Sequence, residues 1–170
     1  MKLTRKLTQK DIISAAVTGF TTGLIGWQIL IYLGNTHFFG VPLALLPFVI
    51  PFLWIIGVWF GYFLGQWVGF FNQFGRFAAI GFTNATVDFG VLYLLIAATG
   101  ILSGLDYTTF KATAFLVALV HSYYWNRFWT FEERGKVSPG EFISFASVSL
   151  IALLINVGVA SVINALPTVI

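Results

Sequence analysis

The chain has no cysteine, only two histidines, and charged side chains at just 9% of its positions. Without cysteine, neither disulfides nor thiolate metal sites are available. His37 and His121 fall on different segments, so a histidine-built metal site is not expected, and no cofactor is called for. Soluble domains average roughly 25% charged residues. A chain with 9% charged residues, 58% hydrophobic residues and a mean hydropathy of +0.90 is instead an integral membrane protein. Alternating polarity is missing too: barrel strands need about ten residues of it, and the apolar runs here are continuous. Soluble catalytic modules have no room, because membrane helices of about 20 residues with short loops fill the length with about five or six spans.

What is present are five apolar stretches of spanning length, at 12–33, 43–70, 77–101, 112–131 and 143–163. The intervening "GNTHFFGVP", "FNQFGR", "SGLDYTTFK" and "EERGKVSPGE" gather glycine, proline, asparagine and charge, and read as breaks. The fold class is therefore all-α, with five transmembrane helices. All nine basic residues except Lys111 fall on one side of this arrangement, which places the N-terminus in the cytoplasm. The net charge of +3 is thus topological, and no nucleic-acid patch is seen. The basic start followed by an apolar run resembles a signal peptide, but the run is too long and lacks a small-residue cleavage site, so the first helix is expected to be retained.

Glycines recur at Gly57, Gly61, Gly65 and Gly69, a narrow strip along one side of the second helix that lets another backbone come close. The strip suits tight packing within the bundle or a dimerising surface. Gly19, Gly23 and Gly26 act similarly on the first helix, and Pro42, Pro47 and Pro51 predict an irregular start to the second.

The most costly residue is Asp88, because a carboxylate near mid-bilayer costs about 2.5–3.5 kcal/mol on insertion scales. Counted from the cytoplasmic ends of their helices at 1.5 Å per residue, Asp88 and His121 lie at about 16 Å and about 15 Å. They are expected to pair, either as a fixed packing contact or as part of a polar path. Gly81, Asn84 and Asp88 fall within about 60° of one another, a small polar stripe on the third helix. The sequon Asn84-Ala85-Thr86 would be buried in the membrane and is discounted.

The fourth segment ends in "HSYYWNRFWTF". Arg127 can bring its guanidinium to headgroup level, and Tyr123, Tyr124, Trp125 and Trp129 suit the interface. Arg127 beside Asn126, among aromatic faces, could also hold a phosphate bidentately. Anchoring and phosphate binding both remain open on the residues alone. At an offset of 68, "RFAAIGFTNATVDFG" aligns with "SFASVSLIALLINVG", bringing Asp88 onto Asn156. The fifth helix therefore reads as a second, parallel copy of the third, as in transporters built from internal repeats.

The stretch from "GRFAAIGFTNATVDFG" through "HSYYWNRFWTF" resembles the GtrA-like family of small bacterial membrane proteins in Arg76, Phe77, Gly81, Asp88, Asn126, Arg127, Trp129, Thr130 and Phe131. The resemblance covers about 74–170. It divides the chain into a two-helix segment, 1–71, and a partial GtrA-like domain, 72–170, whose last half-repeat is expected to be missing. It implies a non-enzymatic protein of the prokaryotic cytoplasmic membrane that flips polyprenyl-phosphate-linked sugars for surface polysaccharide synthesis or glycosylation. In that scheme Arg127, Asn126 and Arg76 receive the lipid phosphate, and Asn84, Asp88, His121 and Asn156 form the path for the sugar. A membrane glycosyltransferase partner and a homo-oligomer fit the same picture. The alternatives are a scaffold subunit for such a transferase and a small proton-coupled exporter working through Asp88. Glu132, Glu133 and Glu141 read as solvated loop charges rather than as a nucleotide-sugar site.

Overall fold

Thr8 opens the first helix: its hydroxyl accepts from the Asp11 N–H at 3.2 Å, and the Asp11 carboxylate accepts from the Thr8 N–H at 3.0 Å. This reciprocal cap satisfies two donors that a helix start otherwise leaves unmade. The computed structural model describes residues 6–38 and 40–165, with side chains described at 6–37, 40–151 and 154. From the cap runs α1 (Gln9–Tyr32), then a two-residue antiparallel pairing of β1 (His37–Phe38) with β2 (Val41–Pro42). A 3₁₀ turn, Leu43–Leu45, leads into α2 (Leu46–Leu64), so the second helix does begin irregularly among its prolines. Pro47 sits in the first turn, where a missing N–H costs nothing, and Pro51 lies inside the helix.

The third and fourth helices start earlier than the sequence suggests. α3 spans Phe71–Thr99 and takes in all of the polar stretch "FNQFGR"; α4 spans Gly104–Trp125 and takes in all of "SGLDYTTFK" but its serine. In both cases the polar groups find partners inside the helix or beside it. The Thr108 and Thr109 hydroxyls donate to the carbonyls of Gly104 and Leu105 at 3.2 and 3.1 Å. α3 stops at Gly100, whose left-handed φ of 73° turns the chain while its N–H caps Ile96 at 2.7 Å.

By length and composition, α1, α2 with its leading turn, and α3 are each long and apolar enough to cross a membrane, among the described residues. The protein is an all-α membrane protein, with five α-helices among the described residues. α1, α2, α3, α4 and the turn that follows α4 form one unit, which ends at Glu133. Its buried core is Ala15, Val58, Tyr62, Ala79, Ile80 and Trp129.

Glycine lets these helices close up. A Cβ on Gly19 would lie 2.6 Å from Pro51 Cα, and one on Gly75 would lie 2.9 Å from the Gly57 carbonyl oxygen. Gly61 meets the Phe71 carbonyl and Gly75, and Gly65 meets the Asn72 side chain; beside Gly69 there is open space. Of the expected strip, Gly61 and Gly65 thus meet α3 and Gly57 approaches it through its carbonyl, with Gly65 capping α2 and Gly69 lying past its end. Hydroxyls bind the same three helices, with Thr22 donating to Thr83 Oγ1 at 2.9 Å and the Trp54 indole to the same oxygen at 3.3 Å.

A second unit begins at Arg134 and holds α5 (Pro139–Ala165). Ser144 and Ser147 return their hydroxyls to the carbonyls four residues before, at 2.9 and 2.8 Å. The Asn156 side chain lies outside the described residues.

Candidate functional site

The last turn of the fourth helix is wound differently from the rest. Asn126–Thr130 form a π-helical turn, closed by Phe131 N–H donating to the Asn126 carbonyl five residues back at 2.9 Å. Within this turn Asn126, Arg127, Trp129 and Thr130 are all buried, while Phe128 is left exposed. Trp129 is 1% exposed, and Tyr123 is buried as well. The expectation of both as interfacial anchors is thereby corrected: Trp129 has a buried carboxylate to bind. Its indole N–H donates to Asp11 Oδ1 at 3.0 Å. Tyr124 stays exposed and stacks on Phe128, and Trp125 is half-buried with its ring 6.0 Å from Trp129.

Arg76, near the start of α3, lies at the centre of this end of the bundle and is only 1% exposed. Its Nη1 donates to the Trp129 carbonyl and to Glu132 Oε1, the latter at 2.6 Å, and lies 3.9 Å from Asp11 Oδ1. The guanidinium also sits over the Tyr62 ring at 5.8 Å. Two carboxylates therefore surround one guanidinium, whose Nε and Nη2 make no hydrogen bond among the described residues. Glu132 is not a solvated loop charge. Its backbone adopts a left-handed φ of 57°, rare for a residue with a side chain, and its carboxylate turns back onto Arg76.

Arg127 is buried too, donating to the Glu133 carbonyl at 3.3 Å with its guanidinium over Phe128. It does not extend to the surface as a snorkelling anchor would. Asn126 donates to the Ser122 carbonyl at 3.0 Å, while its Oδ1 is buried and makes no hydrogen bond among the described residues. Lys10 reaches the Phe128 carbonyl. Three of the residues expected to meet phosphate, Arg76, Asn126 and Arg127, thus belong to the same end, with Lys10 added. Beside them is a cavity of about 270 Å³ lined by Phe70, Gln73, Phe74, Phe77, Thr130 and Phe131.

Farther along the bundle, Asp88 has a partner other than the one expected. Lys111 Nζ donates to Asp88 Oδ2 at 2.7 Å, with the side chains 44% and 21% exposed. The long ammonium arm reaches a carboxylate that the imidazole of His121 does not bind. Asp88 Oδ1, Asn84 Oδ1 and His121 Nδ1 are each buried without a hydrogen bond among the described residues. No group of three His, Asp or Glu side chains assembles to hold a metal among the described residues.

A family model for the GtrA/DPMS transmembrane domain matches residues 76–169, beginning at the buried Arg76 itself. The chain belongs to this family. It is also 33% identical over 78 residues, 46% of its length, to the uncharacterized membrane protein YngA of Bacillus subtilis (strain 168). It spans about half (49%) of that relative's length. No solved structure matches. Arg76, Asp88, Asn126, Arg127 and Trp129 fall inside the family stretch, whereas Asp11 and Tyr62, which complete the surroundings of Arg76, precede it. The sequence reading did not single out Asp11, although Thr8-x-x-Asp11 ahead of an apolar run is a capping-box pattern that marks it.

Proposed function

We propose that this chain moves a polyprenyl-phosphate-linked sugar across the cytoplasmic membrane, serving polysaccharide synthesis or glycosylation together with a membrane glycosyltransferase. Membership of the GtrA/DPMS family supports the reading. The observation that carries it is Arg76, a fully buried guanidinium at the basic end of a membrane bundle with two nitrogens unbonded. An arginine held in that way offers a planar fork to a phosphate in surroundings of low dielectric, where charge-assisted hydrogen bonds are strongest. Arg127 and Lys10 bring two more cationic groups to the same end of the bundle.

Asn84, Asp88 and His121 supply the second half of the argument. A sugar leaving water loses hydrogen bonds that cost several kcal/mol each if left unmade. The buried Oδ1 atoms of Asn84 and Asp88 and the His121 imidazole nitrogen are acceptors suited to sugar hydroxyls. The isoprenoid tail stays in lipid throughout. Catalysis has no part in this scheme.

The test is translocation of a fluorescent polyprenyl-phosphate sugar in proteoliposomes of the full chain, read by chemical quenching of the outer leaflet. The reading expects protein-dependent movement that Arg76→Gln abolishes and that Asn84→Ala slows. Equal rates with and without protein, or an unaffected Arg76→Gln, would overturn it.

A further inference from the structure

Arg76 has one carboxylate more than it needs. Asp11 is fixed on every side: it caps Thr8, accepts from the Trp129 indole, and sits beside Nη1 at 3.9 Å. That one acid already balances the guanidinium. Glu132 is a second counterion of a different kind, 40% exposed, carried on the segment after the π-helical turn and held there by a left-handed backbone conformation. Such a conformation is uncommon for a residue with a side chain.

We propose that Glu132 is a displaceable stand-in for a lipid phosphate at Arg76. The proposal rests on the flippase reading and names its binding step. Exchange of the Glu132 carboxylate for a phosphate keeps an anion beside the guanidinium: a diester brings the same single charge, and a monoester such as farnesyl phosphate up to one more. The incoming group has oxygens for Nη1 and for Nε and Nη2, which the carboxylate does not satisfy. The neighbouring cavity, with Phe70, Phe74, Phe77 and Phe131 on its wall, takes the first isoprene units, and Thr130 Oγ1, buried and unbonded, faces the same end. The ligand class is therefore a phosphate carrying an unsaturated hydrocarbon chain. Glu132 keeps the site closed to other anions until such a ligand supplies both halves of the contact.

The experiment is equilibrium binding of radiolabelled farnesyl phosphate to the full chain in dodecyl maltoside, a detergent without phosphate. Farnesol and inorganic phosphate serve as comparison probes. Removing the competing carboxylate in Glu132→Gln should tighten farnesyl phosphate and inorganic phosphate by a similar factor, about fivefold or more, leave farnesol unchanged, and keep farnesyl phosphate the tighter ligand throughout. Arg76→Gln should lose binding. Because that variant removes a buried charge and can unfold the bundle, the deciding variant is Glu132→Gln, whose carboxylate is partly exposed. Wild-type binding that Glu132→Gln leaves unchanged or weakens would overturn displacement while leaving the flippase reading intact. Inorganic phosphate binding as tightly as farnesyl phosphate would overturn the lipid assignment. Absence of farnesyl phosphate binding to every form would overturn both the inference and the reading beneath it.

Discussion

The Trp129 indole and the Asp11 carboxylate, 118 residues apart in sequence, meet at 3.0 Å in the buried end of the bundle. Through that bond the first helix holds in place the turn that follows the fourth, and with it the surroundings of Arg76. Asp11→Ala should cost about 1–3 kcal/mol, because it leaves the buried Trp129 indole N–H without an acceptor and removes the reciprocal cap at Thr8, while Glu132 still balances Arg76. Trp129→Phe, which loses only the N–H donor, should cost about 1–3 kcal/mol. Unfolding in detergent checks both, and costs that simply add in the double variant would mean the two side chains do not act together.

Gly75→Ala should destabilise by about 1–3 kcal/mol, since the added methyl meets backbone that cannot step aside. The clash is with the Gly57 carbonyl at 2.9 Å and Val58 Cα at 3.1 Å. Gly26→Ala meets nothing and should be neutral or slightly stabilising. Thermal inactivation of the two proteins side by side decides whether the glycine strip serves packing inside one chain.

Lys111→Ala should lower the yield of folded, membrane-integrated protein more than the double variant Asp88→Asn, Lys111→Ala. The single change strands a carboxylate worth about 2.5–3.5 kcal/mol on insertion scales, and the double change removes it. A single variant that accumulates as well as the double would show that the 2.7 Å pair carries no weight in insertion.

The helices were legible because apolar runs of spanning length admit few other structures, and five stretches became five helices. Their ends were not legible where polar side chains looked like loop. Asn72 and Arg76 are accommodated by Gly65 and by the acidic pair, and Thr108 and Thr109 by their own helix. Depth counting located Asp88 as the costly residue, yet it could not choose between an imidazole and an ammonium on a long arm. Glu132 had no sequence signal at all, because nothing in "TFEERG" announces a left-handed glutamate. Asp11 did have one, in the Thr8-x-x-Asp11 cap.

Arg127→Lys should reduce translocation by about tenfold, since an ammonium keeps the charge but loses the planar fork. Undiminished transport in that variant, with the same localisation, would favour a scaffold role in which Arg127 serves only as a charge.

The most direct measurement is photo-crosslinking of the reconstituted full chain with a polyprenyl phosphate carrying a diazirine in its first isoprene unit, with adducts mapped by mass spectrometry. The account predicts adducts on Phe70, Phe74, Phe77 and Phe131 that unlabelled polyprenyl phosphate competes away and Arg76→Gln removes. Adducts spread evenly over lipid-facing residues such as Phe20 and Phe52, insensitive to competitor, would contradict it.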